Sequence, residues 1–412
     1  MLHLNLNKSK AFSKESVSFF LSGSKSISQR ALIINYLLDI IDMPDNISDS
    51  EDTALLYQAL CSKKDKFNLK QSGTAFRFLL SLFSLKSKSC VLTGDTRLLE
   101  RPIRLLIESL QFMGADILWL KDKVIINKSS LIGKEIHFPI LKTSQFITSL
   151  LLIGPYIKNG LKLNFSKNTY SKSYIDLTTN MMLQCGANLK LDNNSITVFE
   201  GQYTQKIHVI ESDWTSASYL FLSFLFSEYD TITMSTLNQN SIQPDSHICD
   251  FFSLVGVMSQ FHNDKLTLKK IKSINNPIKI HWDFCNNPDL FPTILIACFG
   301  LGIELVANGI HTLFYKESNR IDAMKKELSK FNCVFNVMSD DTIYFKPKKK
   351  SSKNYLYTIE TYNDHRIALA FSPLVLLGFR LKIKNFHVIN KSYPSFFHDL
   401  IKFGVEIKKT KR

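Results

Sequence analysis

Hydrophobic and polar positions along this chain follow one pattern that recurs six times. A short polar cluster, often basic, precedes a segment that is apolar on nearly every face. The apolar segments are Ala31–Leu38, Ala75–Leu85, Phe146–Ile157, Tyr219–Phe226, Leu290–Gly300 and Ile367–Gly378. A helix that is apolar all round has to be buried, and these segments are shorter than the roughly 20 residues that cross a bilayer. The pattern therefore predicts six helices packed inside the protein.

Segments with alternating side chains lie between these helices and predict strands. They are Lys123–Asn127, Lys162–Phe165, Ser195–Glu200, Lys206–Ile210, Thr231–Met234, Lys265–Leu268, Pro277–Trp282, Asp341–Phe345 and Leu381–Phe386. Three further segments have a single apolar stripe and predict amphipathic helices: Arg101–Ala115, Tyr174–Ala187 and Asn319–Asn332. The chain thus repeats a unit of strands, one amphipathic helix and one buried helix, which is typical of an α/β repeat architecture. Because the pattern halves near Glu211–Asp213, we expect a domain boundary there.

Composition adds an excess of positive charge to this picture. Of 412 residues, 45% are hydrophobic and 21% are charged, and the formal net charge is +15. Such a charge fits nucleic acid, an anionic surface or small anionic substrates, although most of the lysines are expected to be solvated. The seven cysteines are scattered without a CxxC pair, which fits a reduced, cytoplasmic chain. The histidines lack metal-ligand spacing, so we expect no bound metal. The N-terminus lacks the apolar stretch of a secretory signal.

The polar clusters sit where the buried helices begin. Unpaired N–H groups give a helix N-terminus a partial positive charge, and Ser, Thr or Asp there often act as caps. Capping does not require the cations that accompany these clusters, which are Lys25, Arg30, Arg77, Arg101, Lys316, Arg320, Arg366 and Lys391. If the N-termini converge, they form a binding site for a small polyanion. The chain has no P-loop and no GxGxxG after a strand, so nucleotide binding is not indicated.

Taken in order, the clusters resemble those of the 5-enolpyruvylshikimate-3-phosphate (EPSP) synthases, a family of enolpyruvyl transferases. The motifs are SGSKSISQRAL (Ser22–Leu32), SGTAFR (Ser72–Arg77), LTGDTRLLERPI (Leu92–Ile103), TSQF (Thr143–Phe146), SKSYID (Ser171–Asp176), SDWTSASY (Ser212–Tyr219), NPD (Asn287–Asp289), YKESNRI (Tyr315–Ile321), NDHRIALAF (Asn363–Phe371) and NKSYPSFF (Asn390–Phe397). One such motif is weak, whereas ten in the same order are specific. The resemblance covers nearly the whole chain.

The resemblance implies a two-domain, inside-out α/β barrel fold. Each domain would hold three βαβαββ repeats with buried parallel helices. The first domain would span residues 11–210, the second would combine residues 1–10 with 211–412, and the active site would lie in the cleft between them. The implied reaction transfers the enolpyruvyl group of phosphoenolpyruvate to the 5-hydroxyl of shikimate 3-phosphate and releases phosphate. The resemblance implies no cofactor. The sequence further predicts no nucleic-acid or membrane partner, a cytoplasmic location and a monomer.

The family's motifs place shikimate 3-phosphate on ten residues of this chain. They are Lys25, Ser26, Arg30, Thr143, Ser144, Gln145, Ser171, Tyr174, Asp289 and Lys316. Ser26 and Arg30 would hold the carboxylate, since a guanidinium suits its two oxygens. Thr143, Ser144 and Ser171 would hold the 3-phosphate.

Phosphoenolpyruvate is expected at eight residues. They are Lys25, Gly73, Arg101, Gln145, Arg320, His365, Arg366 and Lys391. Gly73 lacks a Cβ, so the backbone can approach the ligand closely.

Three residues carry the implied chemistry. Asp289 would take the proton of the attacking hydroxyl, and Glu317 would move protons at the methylene carbon. Lys25 would bridge both substrates and carry protons. Structural interpretations of single residues remain: Asp289 as a helix cap, Glu317 as an ion-pair partner of Arg320 at i+3, and His365 as a capping histidine.

Four positions depart from the family's usual residues: Gln29, Gln71, Phe78 and Asn319. Asn319 replaces an acid beside Arg320 and is expected to loosen the orientation of that guanidinium. None of the departures removes a charged catalytic group, so they bear on efficiency and inhibitor sensitivity.

Two other functions compete with this interpretation. The sister transferase acting on UDP-N-acetylglucosamine carries a reactive cysteine in the loop that matches Gly94–Arg101, and that loop has no cysteine here. A basic RNA-binding protein is supported by the net charge alone, because no aromatic-plus-basic RNP stretch is present.

Overall fold

All six predicted apolar segments form helices in the computed structural model, which describes residues 2–9, 16–138, 144–166, 172–271, 277–348 and 352–411. The helices are α1 (Lys25–Leu37), α2 (Glu51–Cys61), α3 (Gly73–Leu85), α4 (Thr96–Glu100), α5 (Arg104–Phe112), α6 (Gln145–Ile153), α7 (Lys172–Gln184), α8 (Trp214–Phe226), α9 (Ile248–Leu254), α10 (Phe291–Leu301), α11 (Arg320–Ser329), α12 (His365–Phe371) and α13 (Phe396–Lys402). Short 3-10 helices span Gly154–Tyr156, Pro244–His247, Pro288–Leu290, His311–Tyr315, Ser372–Leu377 and Phe386–Lys391.

The strands are short and distributed along the whole chain. They are β1 (Leu2–Lys8), β2 (Val17–Phe19), β3 (Lys66–Asn68), β4 (Cys90–Thr93), β5 (Ile117–Trp119), β6 (Lys123–Ile126), β7 (Glu135–Phe138), β8 (Leu161–Phe165), β9 (Leu189–Asp192), β10 (Ser195–Val198), β11 (Thr231–Ser235), β12 (Val257–His262), β13 (Lys265–Lys270), β14 (Lys279–Asp283), β15 (Glu304–Asn308), β16 (Val334–Val337), β17 (Thr342–Lys346), β18 (Leu356–Ile359), β19 (Arg380–Lys384) and β20 (Val405–Lys411). The chain divides into two units, an N-terminal unit of Gly23–Ile210 and a C-terminal unit of Met1–Ser22 with Glu211–Arg412.

Five four-stranded sheets among the described residues share one topology. The N-terminal unit contains the orders β3-β4-β6-β5 and β7-β8-β10-β9, and the C-terminal unit contains β12-β13-β11-β2, β14-β15-β17-β16 and β18-β19-β1-β20. Each sheet joins one parallel pair to two antiparallel strands. A parallel connection needs a crossover, and a buried helix precedes the second parallel strand in every case: α3, α6, α8, α10 or α12. The predicted α/β repeat is confirmed at this level.

Within the described ranges, α1 and α2 are not accompanied by a sheet of this kind, so the predicted third repeat of the N-terminal unit is incomplete. The strand predicted at Lys206–Ile210 is wrong: the segment makes only an isolated bridge between Val209 and Asp45. Its backbone is held instead by the Asn35 side chain, which donates to the carbonyl of Ile207 and accepts from its N–H, both at 3.0 Å. A side-chain amide thus replaces a neighbouring strand.

The N-terminal segment belongs with the C-terminal unit. β1 pairs antiparallel with both β19 and β20, and β2 pairs parallel with β11. The sequence placed the start of the N-terminal domain at Ala11, whereas the unit begins at Gly23 because β2 completes a sheet of the other unit.

The core of the C-terminal unit lies around α8, α10 and α12, which contact one another. These helices are buried on all faces, as their composition predicts. The apolar segment that ends at Gly378 is not one helix: α12 stops at Phe371 and a 3-10 helix follows, because Pro373 has no N–H to donate. No helix in the described part of the chain is both long and apolar enough to cross a membrane.

Replacing Leu220 by Ala tests the packing of these helices. Leu220 is fully buried on α8, so the truncation leaves a cavity and is expected to lower the free energy of unfolding by about 2–5 kcal/mol. Leu254→Ala on α9 is the matched control, because this leucine is 48% exposed and its loss is expected to cost less than about 0.5 kcal/mol. Urea denaturation measures both variants, and equal effects would contradict the packing described.

Candidate active site

Three basic side chains hold Asp289 in the C-terminal unit. Its Oδ1 lies 2.8 Å from Nη1 of Arg320 and 3.5 Å from Nζ of Lys316. Its Oδ2 accepts a hydrogen bond from Nη2 of Arg366 at 2.7 Å. Burial opposes ionisation, but Arg366, Lys316 and Arg320 outweigh it and hold the pKa of the Asp289 carboxyl well below its usual value. Asp289 is therefore ionised at neutral pH in this arrangement.

Arg320 joins Asp289 to two further carboxylates. Its Nη2 donates to Oε2 of Glu317 at 2.7 Å, and its Nε donates to Oδ2 of Asp364 at 2.8 Å. The side chain of Arg320 is only 1% exposed. Burial disfavours its charge, yet Asp364, Glu317 and Asp289 together raise the pKa of Arg320 above its usual value. The guanidinium is a buried cation shared by three acids.

Lys391 and Ser318 complete the surroundings of these acids. Nζ of Lys391 lies 3.6 Å from Oε1 of Glu317. The hydroxyl of Ser318 donates to Oδ2 of Asp364 at 3.0 Å, and the N–H of Arg366 donates to Oδ1 at the same distance. Asp364 is thus the N-cap of α12 as well as an ion-pair partner, which fixes the start of the helix that carries Arg366.

The cluster lies where buried helices begin. Arg366 is in the first turn of α12, and Asp289 is in the 3-10 helix directly ahead of α10. Nη1 of Arg366 donates to the hydroxyl of Tyr219 on α8 at 3.3 Å. The starts of α10 and α12 therefore meet beside α8, and their partial positive charges add to those of the side chains.

Lys316 and His365 are also part of this cluster. Burial lowers the pKa of Lys316, and the neighbouring Asp289 offsets part of that effect. Nδ1 of His365 lies 3.9 Å from Oδ1 of Asp364, and the ring is almost fully buried. The C-terminal unit thus gathers every candidate residue that the sequence placed in its half.

Arg30 is a buried cation of the N-terminal unit. Its Nε donates to Oγ1 of Thr178 at 2.8 Å, its Nη1 to the carbonyl of Ser26 at 2.7 Å, and its Nη2 to the carbonyl of Tyr174 at 3.3 Å. All of these acceptors are neutral. Burial lowers the pKa of Arg30 to about 10, and the guanidinium remains charged at pH 7. A buried cation with neutral partners favours an incoming anion.

Lys25 lies at the start of α1, near α2. Its Nζ is 3.2 Å from Oδ2 of Asp52, and both side chains are largely buried. Ser24 caps α1 by accepting from the N–H of Ile27 at 3.5 Å. The cap fixes the helix start, and Asp52 fixes the direction of the lysine.

Gly73 begins α3 against two arginines. A Cβ at this position would lie 2.5 Å from Nη1 of Arg101 and 2.7 Å from Nη1 of Arg77, closer than real Cβ contacts allow. Arg77 in turn donates to the carbonyl of Gly73 at 2.7 Å. Nearby, Nε2 of Gln145 on α6 donates to Oγ1 of Thr74 on α3 at 3.0 Å. The N-termini of α3 and α6 therefore meet in this unit.

Comparison with known proteins decides the family. A family model described as EPSP synthase (3-phosphoshikimate 1-carboxyvinyltransferase) matches residues 52–400. The chain belongs to this family. A 3-phosphoshikimate 1-carboxyvinyltransferase of Bacteroides fragilis is 33% identical over 94% of this chain and 95% of its own length. One of Buchnera aphidicola is 29% identical over 94% of this chain and 96% of its own length.

Solved structures share the fold of this EPSP synthase family member. An EPSP synthase structure from Acinetobacter baumannii has a TM-score of 0.75 and 20% identity, and covers 99% of this chain and 100% of that chain. The resemblance inferred from the ordered motifs is confirmed.

The structure places most of the residues that the EPSP synthase motifs indicated, in two separate groups. Lys25, Ser26, Arg30, Gly73, Arg101, Ser144, Gln145 and Tyr174 belong to the N-terminal unit, and Asp289, Lys316, Glu317, Arg320, His365, Arg366 and Lys391 belong to the C-terminal unit. Thr143 and Ser171 lie outside the described residues. Among the described residues, no group of three or more His, Cys, Asp and Glu side chains could hold a metal ion.

Several contacting residues were missed by the sequence interpretation. Asp52, Thr178, Tyr219 and Asp364 each hold a candidate side chain. Asp364 stands inside the NDHR motif, so its neighbours could have identified it. Tyr219 closes the SDWTSASY motif, so it could have been identified in the same way. Asp52 and Thr178 lie within helices and carry no signal that separates them from ordinary helical residues.

Three structural expectations are corrected. Asp289 is not the N-cap of a helix, because Asn287 occupies that position in the 3-10 helix and Leu290 occupies it in α10. The cap of α12 is Asp364, not His365. Arg320 is not loosened by Asn319, because three carboxylates hold its guanidinium while Asn319 caps α11.

Asp364→Ala tests how strongly the stability of the protein depends on this buried carboxylate. The change leaves Arg320 short of a partner and removes the cap of α12, so we expect the free energy of unfolding to fall by about 3–5 kcal/mol. Asp322→Ala, an exposed acid in the first turn of α11, is the control and should cost about 1 kcal/mol or less. Chemical denaturation measures the free energy of unfolding of both variants. A loss for Asp364→Ala as small as that of the control would contradict the role of Asp364 in holding Arg320 and capping α12.

Proposed function

We propose that this chain transfers the enolpyruvyl group of phosphoenolpyruvate to the 5-hydroxyl of shikimate 3-phosphate, and that each unit contributes one set of residues to the reaction. Family membership carries the reaction itself. The observation that supports the division of roles is the difference between the buried arginines. Arg30 contacts neutral oxygens, whereas Arg320 and Arg366 contact carboxylates.

Shikimate 3-phosphate binds mainly to the N-terminal set in this proposal. Arg30 and Ser26 hold its carboxylate, which supplies the anion that the buried guanidinium lacks. Ser144 and Gln145 at the start of α6 bind the 3-phosphate side with Thr143 and Ser171. Tyr174 is placed near the shikimate ring, because its carbonyl contacts Arg30, which holds the carboxylate of the same substrate.

Phosphoenolpyruvate binds to residues of both sets, most of them basic. Arg320, Arg366, His365 and Lys391 come from the C-terminal unit. Gly73, Arg101, Gln145 and Lys25 come from the N-terminal unit. The crowding of Gly73 against Arg101 supports this placement, because a side chain there would displace the guanidinium.

Asp289 acts as the base that takes the proton of the 5-hydroxyl as that oxygen attacks C2. Its pKa is far too low for this role while Arg320 and Arg366 both neutralise it. An anionic substrate that binds the two arginines draws their charge away and raises the pKa of Asp289. Substrate binding thereby activates the base, and Lys316 beside it stabilises developing charge.

Glu317 exchanges protons with the methylene carbon of phosphoenolpyruvate. One proton adds to that carbon as the tetrahedral intermediate forms, and one leaves it as phosphate departs, so the enolpyruvyl double bond is restored. The contacts of Glu317 with Arg320 and Lys391 place its carboxylate beside the cations expected to bind this substrate. Lys25 lies between the two substrates and carries protons.

The proposed fold is the inside-out α/β barrel with parallel buried helices in each unit. Its domains follow the two units, so the N-terminal domain begins near Gly23 instead of Ala11. The shared order of the sheets and the burial of α3, α6, α8, α10 and α12 support it. The monomeric state, the cytoplasmic location and the lack of a nucleic-acid partner stay predictions of the sequence.

Phosphate release from shikimate 3-phosphate and phosphoenolpyruvate tests the function directly. We expect release that depends on both substrates, and none when UDP-N-acetylglucosamine replaces shikimate 3-phosphate. Release with the nucleotide sugar alone would reject the proposed acceptor.

Asp289→Asn separates the role of the base from substrate binding. We expect kcat to fall by about 10²–10⁴ because general-base catalysis is lost. The KM for phosphoenolpyruvate should stay level or fall, since Arg320 and Arg366 no longer neutralise an internal acid. Steady-state kinetics with Asp322→Asn as control measure both. Near-normal turnover would reject Asp289 as the general base. A raised KM would show that Asp289 does not compete with phosphoenolpyruvate for Arg320 and Arg366.

Gly73→Ala tests the phosphoenolpyruvate side. The added methyl displaces Arg101 and Arg77, so we expect the KM for phosphoenolpyruvate to rise about tenfold while that for shikimate 3-phosphate changes little. Gly201→Ala in the same unit is the control, because a Cβ there meets nothing within 4 Å. Equal rises for the two substrates would contradict the placement of Gly73.

A further inference from the structure

Asp245 is a buried carboxylic acid that neither the motifs nor the proposed mechanism uses. It lies in the 3-10 helix Pro244–His247 and is only 2% exposed. Its Oδ2 accepts from the hydroxyl of Thr215 in the first turn of α8. In the described part of the chain, Oδ1 has no hydrogen-bond partner and Asp245 makes no ion pair. A buried carboxylate with one hydroxyl donor and an unpartnered oxygen is unfavourable, and such a group tends to hold a proton.

The charged groups around Asp245 favour the same state. Asp289, in the 3-10 helix ahead of α10, repels it most strongly; Arg366 on α12 attracts it less strongly than Asp289 repels it, and Asp213 at the cap of α8 adds a smaller repulsion. Glu211 contacts the neighbouring Gln243 and adds a further negative charge. At the end of the same 3-10 helix, Nδ1 of the exposed His247 lies 2.8 Å from Oδ2 of Asp250 on α9.

Asp245 and Asp289 thus differ in their protonation. Asp289 has the cations and is ionised, while Asp245 has none in direct contact. Burial and the charge of Asp289 raise the pKa of Asp245 to about 7. The proton on Asp245 is therefore gained or lost near neutral pH.

We propose that Asp245 is a positioning residue that must be protonated when the anionic substrate binds Arg366 and Arg320, so that binding of phosphoenolpyruvate is linked to proton uptake at this buried acid. This rests on the proposed function, which places phosphoenolpyruvate at those arginines. Thr215, which contacts Asp245, lies one helical turn before Tyr219, which contacts Arg366, so Asp245 and Arg366 lie along the same face of α8. An anion at Arg366 therefore adds negative charge near Asp245, and a neutral Asp245 lowers the resulting repulsion.

Asp245→Asn tests the proposal, because the amide imitates the protonated acid at all pH values. We measure kcat/KM for phosphoenolpyruvate, with shikimate 3-phosphate saturating, and take the ratio of the variant to the unchanged chain. Titration of the substrate itself cancels in this ratio. With a pKa of about 7 in the free enzyme, the ratio is expected to rise about tenfold between pH 6 and pH 8. A flat ratio overturns the link to substrate binding. Asp250→Asn, an exposed acid nearby, is the control and should show a flat ratio.

Unfolding measurements test the proton on Asp245 without any turnover. The folded chain holds this proton up to about pH 7, whereas the unfolded chain loses it near the ordinary value of 3.8. Folded protein then binds more protons across this window, so its stability falls as pH rises through it. The urea midpoint of Asp245→Asn, relative to the unchanged chain, should increase from pH 5 to pH 7 and level off above pH 8. A constant difference overturns the protonated state of Asp245.

Thr215→Val covers the case in which Asp245→Asn does not fold. Without the hydroxyl donor the ionised form loses its one hydrogen bond, so the fall of kcat/KM with rising pH is expected to move to higher pH. An unmoved profile overturns the proposal. Lack of phosphate release by the unchanged chain at every pH rejects the proposed function instead, and the unfolding series still decides whether Asp245 holds a proton.

Discussion

The arrangement of the C-terminal unit depends on the buried guanidinium of Arg320. It has no access to water, so its charge must be matched inside the protein, and Asp289, Glu317 and Asp364 supply that match. Each acid comes from a different place: the approach to α10, the approach to α11 and the cap of α12. One cation thus fixes the relative positions of three helix starts.

The same charge matching shapes the chemistry. The acids that are proposed to move protons are paired with the cations that are proposed to bind substrate, so most of the positive charge in the C-terminal unit is compensated before an anion arrives. In the proposed mechanism, an anion competes with Asp289 for Arg320 and Arg366, which contact it here, and so changes the basicity of that carboxylate. Binding and activation of the base are then one electrostatic event. The N-terminal unit differs, because Arg30 donates to neutral acceptors, and in the proposed function its counter-charge is the carboxylate of shikimate 3-phosphate.

Repetition explains why both units place cations at the starts of buried helices. In every sheet a buried helix leads into the second parallel strand, so corresponding helices begin at corresponding positions. Helix starts that meet within one unit combine their partial charges and attract anions. Arginine and lysine in the first turns then add full charges to the same place. A small number of substitutions in one repeated element can therefore build an anion site.

The sequence by itself determined the buried helices, the α/β repeat, the family and most of the candidate residues. Apolar runs such as Phe291–Leu301 can form a stable helix only in the protein interior. The motif around Arg366 consists of adjacent residues, so it can be identified from the sequence alone. Short elements, including α4, α9 and α13, carry too few residues for a period to be visible. The segment Lys206–Ile210 has the alternation of a strand, but Asn35 and Asp45, distant in sequence, take its hydrogen bonds. Only the tertiary structure decided that Asp364 and Asp52 hold the candidate cations and that Asp245 lacks one, because charge compensation in a buried site depends on distances between segments far apart in the chain.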